Sequence, residues 1–148
     1  MVVTYRSHEP SDKLRVATLV AAVYRNDGIN HDLTPTWYFR ALNTKKPKQH
    51  WTVAVESNRT IGVQVYSIDD SFGTLVDIAV RPKYRGRCIA TQLVENAVAC
   101  MRSQGVKTVR TTRVENSNWR QKLEDMGFEE IWEPSSDIEM NPRMQKKL

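Results

Sequence analysis

Cysteine is scarce in this chain of 148 residues, which carries only Cys88 and Cys100. Both fall in one segment of helical period, where twelve residues of helix span about 18 Å. A disulfide needs Cα atoms within about 7 Å of each other. The two thiols therefore cannot bridge one another, and a reducing compartment is expected. Long apolar runs are missing too, since no stretch approaches the ~20 residues of a membrane-spanning helix. Met1-Val2-Val3-Thr4-Tyr5-Arg6 is too short and too polar for a signal peptide, so we expect a cytoplasmic protein with no membrane partner. Internal repeats and linker-like segments are also missing, and residues 1–148 read as one domain, long enough for a proper core. No metal ligands are assigned. What is present is ordinary for a globular chain: 40% hydrophobic and 26% charged residues. The formal net charge of +5 favours polyanionic ligands. Many proteins without such a ligand carry a similar excess.

Val2 to Arg6 is short, β-branched and aromatic, and reads as a strand. Pro10 and Ser11 open a helix with Ser11 as N-cap, and Leu14, Ala17, Val20 or Ala21, and Tyr24 repeat at helical spacing up to Asn26-Asp27-Gly28. Thr34-Pro35 starts a second, short helix. His50–Val55 and Ile61–Ile68 alternate around Ser57-Asn58-Arg59 as an antiparallel hairpin. Thr74–Val80 is nearly all apolar, as a central strand covered on both faces should be. A helix from about Ile89 ends at Gly105, its C′ residue. Lys107–Val114 reads as a strand, Asn118–Met126 as a shorter helix, and Phe128–Trp132 and Asp137–Met140 as closing strands. The basic segment from Arg143 to Leu148 is expected to be loose.

One stretch carries chemistry. A strand ending at Val80 feeds a helix through the basic, Gly-containing turn Arg81 to Cys88. A helix start offers backbone N–H groups without helical partners and the positive end of a macrodipole. Arg85 and Arg87 add full charges to those donors. The turn lacks the Lys-Ser/Thr ending of a P-loop and the three glycines of a dinucleotide fold. It reads either as a phosphate site or as a solvated basic turn.

Val80-Arg81-Pro82-Lys83-Tyr84-Arg85-Gly86-Arg87-Cys88-Ile89-Ala90 resembles the acetyl-CoA motif of the GNAT superfamily, the acyl-CoA-dependent N-acyltransferases. The family pattern is Arg or Gln, two residues, Gly, one residue, then Gly or Ala. Arg85 and Ala90 fill its ends, and Cys88 stands where glycine is expected. Val114-Glu115-Asn116 followed by Met126-Gly127-Phe128 is similar to the family's downstream strand–Asn–helix–Gly-Phe ending. The resemblance implies an α/β (α+β) fold of element order βααβββαβαββ. Its mixed sheet of about seven strands is flanked by helices and splays between the fourth and fifth strands. It implies acetyl-CoA as cofactor. Ile78, Ala79 and Val80 would be main-chain contacts for pantetheine, and the turn and helix start (Arg85, Gly86, Arg87, Cys88, Ile89, Ala90, Thr91) would hold the pyrophosphate. Asn116 would be a further contact, with Arg81, Lys83 and Lys107 as candidates for the 3′-phosphate.

The catalytic positions match less well. The family's proton-donating tyrosine, four residues before the Gly-Phe pair, is Leu123 here, and its common base positions are Thr74 and Thr111. Asp77 is the only acid inside the central strand and becomes the candidate base, with Tyr66, Asp69 and His31 as substitutes. Strict alternation puts Asp77 on the face of Leu75 and Ala79 rather than that of Thr74, and a bulge would reverse this. A structural acid paired with a nearby base is the plainer reading of Asp77. The segment Gly28 to Arg40, with Trp37 and Tyr38, lies where the family binds its acceptor.

The reading is an N-acetyltransferase moving acetyl from acetyl-CoA to a primary amine of a protein or peptide. The alternative is a catalytically silent acyl-CoA-binding or protein-interaction module of the same fold. Nucleic acid, as in acetylation of an aminoacyl-tRNA, is a third reading carried by the net charge and Lys45-Lys46-Pro47-Lys48, without an RNA-binding motif.

Overall fold

A computed structural model of the chain describes residues 2–7, 9–30, 32–112, 114, 116–132 and 143–148. Seven strands form one mixed sheet. In chain order they are β1 (Thr4–Ser7), β2 (Gln49–Glu56), β3 (Arg59–Asp69), β4 (Phe72–Val80), β5 (Thr108–Thr111), β6 (Glu129–Ile131) and β7 (Arg143–Lys147). Their spatial order is β1-β2-β3-β4-β5-β7-β6. Among the described residues only β4 and β5 pair in parallel. Four helices flank the sheet: α1 (Lys13–Asn26), α2 (Pro35–Thr44), α3 (Ile89–Ser103) and α4 (Ser117–Asp125). This is the expected architecture, in the expected element order. Among the described residues no helix is long and apolar enough to cross a membrane.

Local chemistry explains most of these elements. The β2–β3 hairpin turns on Ser57 and Asn58, both at positive φ (49° and 63°), the backbone that a tight two-residue hairpin requires. Thr34 caps α2 by accepting a hydrogen bond from the Trp37 N–H at 3.1 Å, and Pro35 opens the helix. The start of α1 differs from expectation. Pro10–Asp12 forms a 3-10 turn, the helix begins at Lys13, and Ser11 makes no cap. Asp12 instead turns inward, where Arg6 donates to both its oxygens at 2.6 and 2.7 Å and Trp51 Nε1 approaches at 3.4 Å. The buried face of α1 is Val16, Leu19, Val20 and Val23, while Leu14 is exposed.

Apolar side chains cover both faces of the sheet. On one face α1 and α2 bury Val16, Val20 and Leu42 against Trp51, Val53, Val63, Val65 and Ala79. On the other, α3 and α4 bury Val94, Ala97, Met101 and Leu123 against Leu75, Val109 and Met144. Gly73 lets α3 lie close to β4, since a Cβ there would sit 2.4 Å from Met101 Sδ.

Two departures matter for the site. Val65 pairs with Asp77 and Tyr66 with Leu75, so Val76 is an extra residue, a bulge in β4. Leu75 faces α3, while Asp77 and Ala79 face α1 and α2. The parity from strict alternation is therefore reversed at Asp77. In addition, β4 pairs with β5 only from Phe72 to Leu75. Beyond Leu75 the two strands part, at the expected fourth–fifth position.

The basic segment expected to be loose is β7. It lies between β5 and β6, antiparallel to both, and buries Met144 completely. Its strand neighbours on both sides supply the backbone hydrogen bonds that its own polar sequence gives no hint of. The strand expected over 137–140 lies outside the described residues.

Candidate functional site

Where β4 leaves β5 and α3 begins, a cleft of about 320 Å³ opens. Its lining includes Ile78, Ala79, Val80, Arg85, Gly86, Cys88, Ile89, Ala90, Thr91 and Asn116. Of the residues expected at pantetheine and the pyrophosphate, and Asn116, all but Arg87 line it. The Arg87 guanidinium lies 5.6 Å from the centroid of the Tyr84 ring, off the cleft wall.

The loop geometry follows from two left-handed residues. Gly86 has φ +78°, and a Cβ there would meet nothing within 4 Å. Glycine is needed for its backbone, and the space beside it is open. Cys88 adopts φ 60°, ψ 19° immediately before α3. The glycine that the resemblance expects at this position serves that conformation, which costs an L-residue about 1–2 kcal/mol. The cysteine is exposed and takes the conformation regardless. The Gln92 N–H is bonded to the Cys88 carbonyl at 3.1 Å. Ile89, Ala90 and Thr91 precede it in the first turn, where N–H groups lack helical acceptors, and all three line the cleft.

Arg85 is anchored on two sides. Its Nε donates to the Val80 carbonyl at 3.2 Å, and Nη1 and Nη2 donate to Asp27 at 3.3 and 2.7 Å. The loop is thereby tied to the end of α1. Asn116 caps α4, accepting from the Trp119 N–H at 2.9 Å, while lining the cleft. Arg81 donates to the Thr60 carbonyl at 3.0 Å, and Lys83 lies 5.8 Å from the Tyr84 ring. Neither these two nor Lys107 lines the cleft, whereas Lys122 does. Tyr24, Asp27, Ile29, Trp119 and Lys122 are also part of the wall. Sequence reasoning missed them because they arrive from α1, its following loop and α4. The one available signal was that Trp119 and Lys122 follow Asn116 at three-residue spacing on a helix.

Asp77 stands behind the bulge. Tyr24 Oη donates to its Oδ1 at 3.0 Å and Tyr38 Oη to its Oδ2 at 2.5 Å. Its partners are thus two hydroxyls rather than the base of the plainer reading. Burial, followed by the charge of Asp77, pushes both tyrosine hydroxyls far above their ordinary range, so both remain protonated donors at neutral pH. Asp77 lines a longer cleft of about 830 Å³ along β4, together with Gln64, Thr111 and Leu123. It also reaches a cavity of about 510 Å³ beneath α2, walled by Leu33, Trp37, Tyr38, Ala41 and Leu42.

The substitute bases fall elsewhere. Tyr66 is buried on the α3 face, and Asp69 is exposed at the end of β3. His31 lies outside the described residues. Thr111 accepts from the Met144 N–H at 2.9 Å and donates to the Thr112 carbonyl at 2.7 Å, a structural pairing. Leu123 is fully buried and offers no proton.

A family model described as acetyltransferase (GNAT) family matches residues 16–128. No curated protein sequence matches the chain. Solved structures with the same fold include the PaiA N-acetyltransferase from Thermoplasma acidophilum in complex with coenzyme A. It is 17% identical over 100% of both chains, with a TM-score of 0.76. A chain of the NatC complex bound to Gag peptide and CoA is 22% identical, over 100% of this chain and 99% of that one, with a TM-score of 0.76. The ribosomal-protein-S18-alanine N-acetyltransferase from Escherichia coli is 17% identical, over 99% of this chain and 94% of that one, with a TM-score of 0.74. The match runs from α1 to the residue before β6 and takes in the parted strands and the turn that feeds α3, so the chain belongs to the GNAT family of acetyltransferases.

Proposed function

We propose that this chain is an N-acetyltransferase that moves acetyl from acetyl-CoA to a primary amine of a protein or peptide. The observation that carries the reading is the cleft itself. The edge of β4 that β5 leaves unpaired beyond Leu75 and the first turn of α3 line one opening, beside Gly86 with nothing within 4 Å of its Cβ position. That arrangement suits a ligand with an extended amide-bearing arm and a pyrophosphate head. In this reading Ile78, Ala79 and Val80 hold the arm by their main chain. Arg85, Gly86 and Cys88 to Thr91 hold the phosphates, and Lys122 adds positive charge at the rim. Asn116 closes the side of the cleft. A backbone N–H near Val80 faces the carbonyl oxygen as negative charge grows on it. Asp77 takes a proton from the amine. The peptide acceptor is favoured because the neighbours that share the fold include one bound to a peptide and one named for a ribosomal protein.

Leu123 favours a second reading, a silent acyl-CoA-binding module, because it removes the expected proton donor. Calorimetric titration with acetyl-CoA, followed by a thiol-release assay over amines and peptides, separates the two. Micromolar binding with release of CoA is the expected result. Binding without release over the whole panel would support the silent module. Gly86→Glu should abolish binding while leaving the thermal transition cooperative, because the introduced carboxylate repels phosphate in open space. Unchanged affinity in that variant would overturn the phosphate assignment.

A further inference from the structure

The hydroxyl missing at Leu123 has a counterpart on another wall of the cleft. Tyr24, in the last turn of α1, lines the cleft at α3, the longer cleft along β4 and the cavity beneath α2. Its Oη donates to Asp77 Oδ1 at 3.0 Å. Tyr38 donates to the other carboxylate oxygen at 2.5 Å but lines the cavity beneath α2 and neither cleft. One carboxylate thus holds two tyrosine hydroxyls, one at the cofactor cleft and one behind it. We infer that Tyr24 is the proton donor to the leaving sulfur, acting as a couple with Asp77. The inference rests on the acetyl-transfer reading above.

The protons balance within this pair. As the amine nitrogen bonds to the acetyl carbon and the carbon–sulfur bond breaks, nitrogen must lose one proton and sulfur must gain one. Asp77 accepts the proton from nitrogen. Tyr24 gives its own proton to sulfur and takes the proton from Asp77 in return. Both groups end as they began, and no further reactant is consumed.

The electrostatics time the exchange. Burial first, and then the negative charge of Asp77, hold the Tyr24 hydroxyl in its protonated form, with Asp27 adding to the effect and the Ile78 N–H opposing it. A proton arriving on Asp77 removes the nearer negative charge. Tyr24 becomes a stronger acid at the moment when the sulfur needs a proton.

Tyr24→Phe and Tyr38→Phe each delete one hydroxyl from the same carboxylate, and thermal melting checks that both variants fold. With an amine that the wild type accepts, Tyr24→Phe should lower kcat about 100-fold with the KM for acetyl-CoA changed less than about threefold. Tyr38→Phe should lose less than about tenfold. Asp77→Asn keeps the shape but cannot take the proton, and should lose about as much as Tyr24→Phe. The Tyr24→Phe/Asp77→Asn double variant should then lose no more than either single change, because the two act as one unit. Equal losses for Tyr24→Phe and Tyr38→Phe, a Tyr24→Phe defect confined to KM, or multiplying losses in the double variant would overturn the couple. A wild type that releases no CoA with any amine would instead remove the acetyl-transfer reading, and the couple with it.

Discussion

Cys88 shows how a residue can depart from a motif without departing from its geometry. The position needs φ near +60°, and cysteine occupies it at the start of α3. Replacement by glycine removes the steric penalty but adds chain entropy to the unfolded state. Cys88→Gly should therefore hold or raise stability by up to about 1 kcal/mol, whereas the branched side chain of Cys88→Val should lower it by about 1–2 kcal/mol. Urea denaturation of the two variants against the wild type measures this directly. At this scale the sequence was readable where a backbone demand is written into a motif, as at Gly86. It was not readable at Asp77. A period-two reading assumes an unbroken ladder, and the single extra residue Val76 turns the carboxylate to the opposite face.

Elements are held to one another by a few polar ties, and Asp12 is one of them. Burial pushes its carboxyl up, but the two hydrogen bonds and the charge of Arg6 outweigh this and hold it below the usual carboxylate range. The unfolded chain releases that proton near pH 3.9. The tie therefore contributes its full stability above that pH and loses it as the pH falls toward the lower native value. Asp12→Asn should cost about 2 kcal/mol at pH 7, less than a fully buried pair, because the Arg6 side chain is 31% exposed. Urea midpoints at pH 6 and pH 3 should converge for the variant and the wild type as acid removes the difference. The sequence suggested a cap at Ser11 because local composition cannot show that Arg6, on β1, reaches across to Asp12. The same limit hid β7. Of Arg143 to Lys147 only Met144 is apolar, and its burial depends on partners far away in the chain.

At the scale of the whole molecule the cleft is assembled from distant segments. Tyr24 and Asp27 come from the end of α1, Ile78 to Val80 from β4, and Trp119 and Lys122 from α4. The part between Ile78 and Thr91 is contiguous in sequence, which is why it could be read there. The rest exists only once the sheet has closed. A ligand that bridges these segments binds the folded state alone. At a concentration one hundred times its Kd, acetyl-CoA should add about 2.7 kcal/mol to the stability. For a chain of this length that is a rise in Tm of about 5–10 °C, and scanning calorimetry across a concentration series checks it. Added salt should reduce the rise by screening the phosphates.

The place of β7 between β5 and β6 has a consequence for biosynthesis. Translation delivers β6 before β7, yet β6 pairs with no other described strand. On the ribosome, β1 to β4 can zip together in the order in which they emerge, with each new strand laid beside the last. The opposite edge cannot, because an interior lane of the sheet stays vacant until residue 147 has been made. Nascent chains stalled a few residues short of that point would carry an unsealed seam along β5.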